Sequence, residues 1–164
     1  VGFVPVAGES VSPEEVSRGF EHVCARARSI ISHGRDWKLW VLCDRDPTNK
    51  WQDGRVLLLG DAAHPMMQYF AQGACMAMED AVALATAVAA ANGDVEKATP
   101  AYLHARQLRT ARVQLQSRWI GEHIYHPDGA HAELRNAIMR AKSPQDWYET
   151  LSWIYGGASF GASP

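Results

Sequence analysis

Residues 56–59 constrain the fold more than any other stretch of the sequence. This Val-Leu-Leu-Leu run is continuously apolar and lies between Gly54 and Gly60. An apolar run without polar alternation is typical of a strand covered on both faces, as in the parallel sheets of α/β proteins. A loop of small and polar residues follows, and from about Gly73 to residue 91 the composition becomes that of a helix, with Asn92-Gly93 as a stop. The sequence therefore predicts an α/β unit of strand, loop and helix.

The remainder of the chain is predicted to be mostly helical. Ser12-Pro13 begins a capping box, and the apolar positions behind it predict one helix as far as Gly34. Residues 38–43 predict a short strand and residues 44–47 a turn. The later helices are predicted to start at Thr99-Pro100, to cover residues 131–141, and to start after Ser143 and end at Gly156-Gly157.

Composition restricts the class of protein. The chain has 164 residues, of which 47% are hydrophobic and 21% charged, and its formal net charge is -2. These values indicate one globular domain and no nucleic-acid partner. The longest apolar stretch, residues 81–91, is too short to predict a membrane span. Cys24, Cys43 and Cys75 form no Cys-x-x-Cys pair, so free thiols and a cytoplasmic protein are expected.

The junction between the predicted strand and the predicted helix carries the chemistry. Ligands of open α/β sheets bind beyond the carboxyl ends of the strands. Gly60 at such an end lets the backbone approach a ligand closely, and the carboxylate of Asp61 can accept hydrogen bonds from a sugar-like hydroxyl. The amides at the start of the helix near Gly73 suit an electron-rich group.

Three segments resemble the second FAD motif of the class A flavoprotein aromatic hydroxylases, a family that includes salicylate and 3-hydroxybenzoate hydroxylases. They are residues 60–65 (Gly-Asp-Ala-Ala-His-Pro), 72–74 (Gln-Gly-Ala) and 79–81 (Glu-Asp-Ala). The flanks, residues 37–47, 66–69 and 109–157, are most similar to 3-hydroxybenzoate 6-hydroxylases. The resemblance implies the C-terminal portion of an FAD/NAD(P)-binding, Rossmann-like fold. It also divides the chain into the end of a substrate-binding domain (1–50), an FAD-binding segment (51–93) and a C-terminal helical region (94–164).

The resemblance also implies an activity and a set of site residues. The implied activity is that of an FAD-dependent monooxygenase, which uses NADH and O2 to convert a small aromatic substrate, 3-hydroxybenzoate, to gentisate. The alternative is a salicylate 1-hydroxylase or another hydroxylase of the family. A homodimer is expected. Gln68 and Tyr69 are the implied contacts to the phenol oxygen. The implied cofactor-binding residues are Gly60, Asp61, Pro65, Gln72, Gly73, Ala74 and Cys75.

One part of the family's pattern is missing. No Gly-x-Gly-x-x-Gly follows a strand, and the chain starts without Met. A βαβ unit with that motif would hold the FAD pyrophosphate. We therefore expect an N-terminal half of the same enzyme outside this sequence, and an isolated chain that is inactive. The non-enzymatic alternative is a truncated helical module that dimerises through apolar faces its missing half would have covered.

Several side chains have two interpretations. His64 is expected to be a structural histidine that bonds the loop backbone, and a catalytic base is the alternative. His123, His126 and His131 with Asp128 could be drawn as a metal site, although Pro127 and Gly129 interrupt the helical spacing. Three further groups are ambiguous between a functional and a packing role: the Cys75 thiol, the arginines 106, 109 and 112, and the methionines 66, 67, 76 and 78.

Overall fold

The computed structural model of the chain describes residues 7–155, which divide into two compact units at Cys43 and Asp44. The first unit holds a two-stranded antiparallel sheet of β1 (Ala7–Ser10) and β2 (Lys38–Trp40). A register shift between Ala7 and Glu9 marks a bulge at Gly8, whose φ of +73° favours glycine. The predicted strand at 38–43 is therefore confirmed only as far as Trp40.

The single helix predicted up to Gly34 is wrong, because the structure has two short helices there. They are α1 (Pro13–Gly19) and α2 (Ala25–Ile31). The capping box is confirmed: Glu15 N–H donates to Ser12 Oγ and Ser12 N–H donates to the Glu15 carboxylate. The break follows Gly19, a poor helix former, and Arg28 Nη1 donates to the carbonyls of Glu21 and Val23 that the break leaves free.

The second unit begins with a segment that has no regular secondary structure, and the turn predicted at 44–47 is not formed. Arg118 on a later helix forms ion pairs with Asp44 (2.5 Å) and Asp46 (2.6 Å), which hold this segment in place. Between them, Arg45 Nη2 donates to the carbonyls of Ala62 and Ala63. Contacts with distant residues therefore override the local turn signal of Asp-Pro.

The apolar run at 56–59 forms part of a hairpin and not of a parallel sheet among residues 7–155. β3 (Gln52–Asp53) pairs antiparallel with β4 (Val56–Leu57) across a turn at Gly54, whose φ is +54°. Val56 is 65% exposed. The prediction of a parallel strand covered on both faces is therefore wrong for residues 7–155. The Asp-Gly pair at 53–54, which the prediction overlooked, is typical of a hairpin turn.

Four helices follow the hairpin. α3 (Gly73–Ala90) is confirmed, as is the predicted start of α6 (Pro144–Tyr155). α5 (Gly129–Ala141) is confirmed except that it starts two residues earlier than predicted. The end predicted for α6 at Gly156-Gly157 lies outside the described residues. Between α3 and α5 runs the longest helix, α4 (Val95–Ile120), which continues into a π-helical turn over Gly121–Tyr125.

The predicted start of α4 at Thr99-Pro100 is wrong. Asp94 is the N-cap, and its side chain accepts a hydrogen bond from the Lys97 amide at 3.1 Å. The helix therefore starts four residues earlier than predicted, with Pro100 inside it. The competing signal was Asn92-Gly93-Asp94, in which a stop for one helix is followed directly by the cap of the next.

Two clusters of buried residues form the core of the second unit, and α3 and α4 contribute to both. Trp51, Ala63, Ala83 and Tyr102 join the hairpin to these helices. Met76 and Val113, both fully buried, join them to Ile154 on α6. Each large apolar side chain buried in this way stabilises the fold by about 1.5–3 kcal/mol.

Helix α3 is, among the helices of residues 7–155, the one long and apolar enough to cross a membrane by length and composition alone. Its inward face carries the fully buried Asp80, which is paired with Arg106 of α4.

Candidate functional site

The site starts at a tight turn that follows β4. Gly60 is buried and has a φ of +56°, and a Cβ added to it would lie 3.3 Å from Cβ of Ala77. The Gly60 amide donates to Asp80 Oδ2 on α3 at 2.9 Å. Both the backbone conformation and the close approach of α3 thus favour glycine at this position.

Asp61 lies beside the first residue of α3. A Cβ built on Gly73 would lie 4.0 Å from Asp61 Oδ1. The Asp61 side chain is exposed and has no hydrogen-bond partner among the described residues. The carboxylate and the start of the helix are therefore neighbours, as the sequence predicted.

The amides at the start of α3 lack acceptors within the described part of the chain. Gln72 is the N-cap and supplies no side-chain hydrogen bond, and the first helical bond runs from the Met76 amide to the Gln72 carbonyl. This leaves the amides of Gly73, Ala74 and Cys75 available to a ligand. The Asp61 carboxylate is a hydrogen-bond acceptor and these amides are donors, and the two lie side by side. This pair of groups fits a nucleotide, whose sugar hydroxyls can donate to the carboxylate and whose electron-rich ring edge can accept from the amides.

A buried ionic network supports the turn from behind. Asp80 Oδ1 accepts from Arg106 Nε at 2.7 Å, and Asp80 Oδ2 accepts from His64 Nε2 at 2.6 Å. Arg106 Nη1 also donates to Glu79 at 2.5 Å, and Arg109 forms a bidentate pair with Glu79 at 2.6 Å for both bonds. The network ties the turn, α3 and α4 together.

The carboxylates of this network are held in their charged form. Burial raises the pKa of Asp80, but hydrogen bonds from His64, Arg106 and the Gly60 amide outweigh it, so the pKa is below its ordinary value. Burial acts on Glu79 in the same direction, and its bonds from Arg109 and Arg106 again lower the pKa on balance. The network is therefore ionic at neutral pH.

His64 is structural in this arrangement. It is fully buried, its Nε2 bonds Asp80, and its ring centroid lies 5.4 Å from that of Trp51. The partner is a carboxylate sixteen residues away and not the loop backbone, so the expected structural role is confirmed but the expected partner was wrong. His64 Nδ1 has no hydrogen-bond partner among residues 7–155.

The two predicted substrate contacts lie on a 3-10 turn, Gln68–Phe70, that leads toward α3. The Gln68 side chain is exposed and makes no hydrogen bond to residues 7–155. The Tyr69 hydroxyl lies 3.2 Å from His126 Nε2, and the Tyr69 ring stacks against Tyr125 at 5.7 Å. Pro65, predicted to contact the cofactor, is half-buried in the same loop.

The remaining ambiguous residues resolve mostly into packing. No group of three metal-ligating side chains occurs among residues 7–155. Arg106 and Arg109 are partners of carboxylates, and Arg112 lies 3.9 Å above the ring of Trp153. Met76 is a core residue whereas Met78 is 62% exposed, and Cys75 is a half-buried free thiol.

Comparison with known proteins identifies the kind of domain. Residues 8–117 match the family model described as an FAD binding domain. The chain is 50% identical over 152 residues to 3-hydroxybenzoate 6-hydroxylase 1 of Aquipseudomonas alcaligenes, covering 93% of this chain and 38% of that protein. It is 46% identical over 145 residues to 3-hydroxybenzoate 6-hydroxylase of Polaromonas naphthalenivorans, covering 88% and 36%.

A solved structure shares the fold. The crystal structure of a Klebsiella pneumoniae HpxO variant complexed with FAD superposes with a TM-score of 0.74 at 23% identity, covering 92% of this chain and 41% of that one. The chain spans 38% of the length of the A. alcaligenes relative and 36% of that of the P. naphthalenivorans relative. The FAD/NAD(P)-binding fold class inferred from the Gly-Asp motif is confirmed.

Proposed function

This chain belongs to the FAD-binding domain family, and from that premise we propose that it is part of an FAD-dependent monooxygenase that hydroxylates 3-hydroxybenzoate to gentisate. The observation that carries the proposal is the juxtaposition of Asp61 with the free amides of Gly73, Ala74 and Cys75. The 50% identity to a 3-hydroxybenzoate 6-hydroxylase supports the choice of substrate.

In this proposal each group of the site contacts a different part of the cofactor. Asp61 accepts a hydrogen bond from a ribityl or ribose hydroxyl, and Gly60, without a side chain, lets that group come close. The amides at the start of α3 face the pyrimidine edge of the flavin, where the helix dipole stabilises negative charge by about 0.3–1 kcal/mol. Pro65 and Gln72 border the ring. Bound FAD, reduced by NADH, supplies the activation of O2.

The substrate ring is proposed to lie against the Gln68–Phe70 turn. The Gln68 amide is free to hydrogen-bond the phenol oxygen, since no residue among 7–155 holds it. Tyr69 can donate to the same oxygen when His126 Nε2 carries a proton, because its oxygen then accepts from His126 and its own proton is available. These two side chains would orient the ring while the surrounding apolar residues exclude water.

A second, non-enzymatic candidate is favoured by the outer face of α3. Met78 is 62% exposed and Val82 49% exposed on a helix that is otherwise alanine-rich. The chain alone could therefore associate through this face as a helical module without cofactor. For the first candidate, the enzyme, we propose a cytoplasmic homodimer in which each subunit has an N-terminal half in addition to this chain.

The test is a chimera in which this chain replaces the segment of the A. alcaligenes relative to which it aligns. We expect the purified chimera to be yellow, to consume NADH when 3-hydroxybenzoate is added, and to form gentisate, whereas the isolated chain should do none of these. Salicylate is the comparison substrate, and NADPH the comparison reductant. A yellow chimera that turns over salicylate in preference would contradict the choice of substrate.

Asp61→Ala in the chimera tests the placement of the cofactor. Its matched control is Asp53→Ala, which removes an exposed carboxylate from β3. We expect FAD affinity to fall by about tenfold with Asp61→Ala, as for the loss of a charged hydrogen bond, and to be unchanged in the control. Equal FAD affinity in both variants would contradict the site. A colourless chimera that forms dimers would favour the non-enzymatic candidate.

A further inference from the structure

The loop that carries Gln68, residues 65–70, is hydrogen-bonded to polar side chains of α4. Gln114 Nε2 donates to the Pro65 carbonyl at 3.0 Å, and Ser117 Oγ donates to the Met67 carbonyl. Both donors are buried, with 2% and 0% exposure. Irregular backbone lacks the repeating partners of a helix or sheet, so buried donors of this kind decide where its carbonyls lie.

The other flank of the loop is held by the π-helical turn at the end of α4. Gly121 leaves room for the ring of Tyr69, since a Cβ added there would lie 2.5 Å from that ring. The turn also brings Tyr125 under the Tyr69 ring and His126 to its hydroxyl. Single π-helical turns of this kind often occur at functional sites because they shift the side chains that follow them.

We propose that Gln114, Ser117 and Gly121 are positioning residues for Gln68. The loop is fixed on both sides of Gln68, at Met67 and at Tyr69, while the Gln68 side chain itself remains free and exposed. This arrangement separates the group that contacts substrate from the groups that place it. The inference rests on the proposed function, since Gln68 orients the substrate only if the site is a hydroxylase site.

The kinetic consequence follows from the sensitivity of oriented reactions to distance. A displacement of about 1 Å can cost about a hundredfold in rate. Removing the Ser117 hydroxyl frees the Met67 carbonyl, and removing Gln114 frees the Pro65 carbonyl together with that of Arg45, to which Gln114 Nε2 also donates at 3.0 Å. Either change lets Gln68 move, while Gly60 and α3 keep their own hydrogen bonds through Asp80. Loss of positioning should therefore affect hydroxylation and leave FAD affinity nearly unchanged.

The experiment uses the chimera with two matched pairs of variants. Gln114→Met removes the donor, and Gln116→Met makes the same change at an exposed position of the same helix. Ser117→Ala removes the hydroxyl, and Ser152→Ala removes an exposed hydroxyl that only bonds the Glu149 carbonyl of its own helix. The measurements are FAD content, kcat and KM for 3-hydroxybenzoate, and gentisate formed per NADH consumed.

We expect Gln114→Met and Ser117→Ala to lower kcat by about tenfold or more and to lower the ratio of gentisate to NADH, with hydrogen peroxide making up the difference. The controls should stay within about twofold. FAD content should be equal in all four variants. Full kcat and full gentisate yield in the Gln114 and Ser117 variants would overturn the proposal.

Amide hydrogen exchange of the full chain provides a readout without catalysis. Ser117→Ala should speed exchange in residues 65–70 and leave the core of α3 unchanged, whereas Ser152→Ala should change neither. If the chimera does not hydroxylate but exchange in the loop rises selectively, the proposed function fails and the positioning contact stands. Unchanged exchange in residues 65–70 refutes the positioning role independently of activity.

Discussion

Replacing Asp80 with Asn is the sharpest test of what holds the site together. Asp80 is fully buried, and its two oxygens receive the Gly60 amide, His64 Nε2 and Arg106 Nε. The amide group of Asn has nearly the same shape but carries no charge and presents two N–H donors on one side. At least one of the three donors that now bond Asp80 must then face another donor.

The magnitude follows from two contributions. Breaking a buried ion pair by removing one partner costs about 3–5 kcal/mol, and the lower value applies because Arg106 keeps Glu79 at 2.5 Å. The donor left without an acceptor adds about 1 kcal/mol. We therefore expect a loss of about 4 kcal/mol, which is a large share of the roughly 5–15 kcal/mol by which domains are stable.

Urea unfolding of the chain, followed by far-ultraviolet circular dichroism and by the fluorescence of buried Trp51, measures this loss. With an m-value of about 2 kcal/mol/M, the midpoint should fall by about 2 M. The control is Asp53→Asn, the same change on an exposed residue of β3. A fall of less than about 0.5 M for Asp80→Asn would refute the reasoning, because the network would then contribute no more than a surface ion pair.

Three further predictions concern the same unit. The pKa values of Asp80 and Glu79 are held below their ordinary values of 3.8 and 4.5, so the stability that these carboxylates contribute is present above about pH 4.5 and is lost as the pH falls further. Urea midpoints measured between pH 3 and pH 7 should show this loss. In Asp80→Asn the midpoint should depend less on pH. Gly60→Ala should destabilise the chain by about 1–2 kcal/mol, since φ is +56° and Ala77 is close, and thermal melts should show a lower Tm than for Gly19→Ala, where a Cβ meets nothing within 4 Å. Asp94→Ala should cost about 1 kcal/mol through loss of the α4 cap, and urea unfolding with unchanged stability would show that the cap is dispensable.

Local signals predicted the helices well where cap and stop residues stood alone. Ser12 and Ser143 were correctly identified as caps, and α3 was predicted with its stop. The prediction failed at Asp94, where a cap follows a stop directly, and at Gly19, where one apolar pattern spans two helices. Both failures concern boundaries, where short-range preferences compete most closely.

The site was predictable only in part because its support depends on tertiary contacts. The Gly60-Asp61 turn and the start of α3 follow from adjacent sequence, and the resemblance to a flavoprotein family added their purpose. The pairing of His64 with Asp80 spans sixteen residues, and that of Ser117 with Met67 spans fifty. Nothing in the sequence around Ser117 distinguishes it from a polar residue on a solvated helix face.

The apolar run at 56–59 failed as a predictor for a different reason. Its continuous hydrophobic pattern describes a strand with neighbours on both sides, yet among residues 7–155 its only pairing partner is β3. Val56 is accordingly exposed to the extent of 65%. The apolar pattern fits a strand with a neighbouring strand on each side, and residues 7–155 provide only one such neighbour.

Four buried side chains of α4 have a consequence for how the chain can vary. Tyr102, Arg106, Gln114 and Ser117 each donate to a carbonyl outside the helix, belonging to Leu58, Met76, Pro65 and Met67 in that order. Deleting one residue within this span would rotate every later side chain by about 100° and disconnect the remaining donors at once. Helix α4 should therefore accept exchanges of amino acid on its outer face but no insertion or deletion, and length variation should be confined to connections such as residues 142–143.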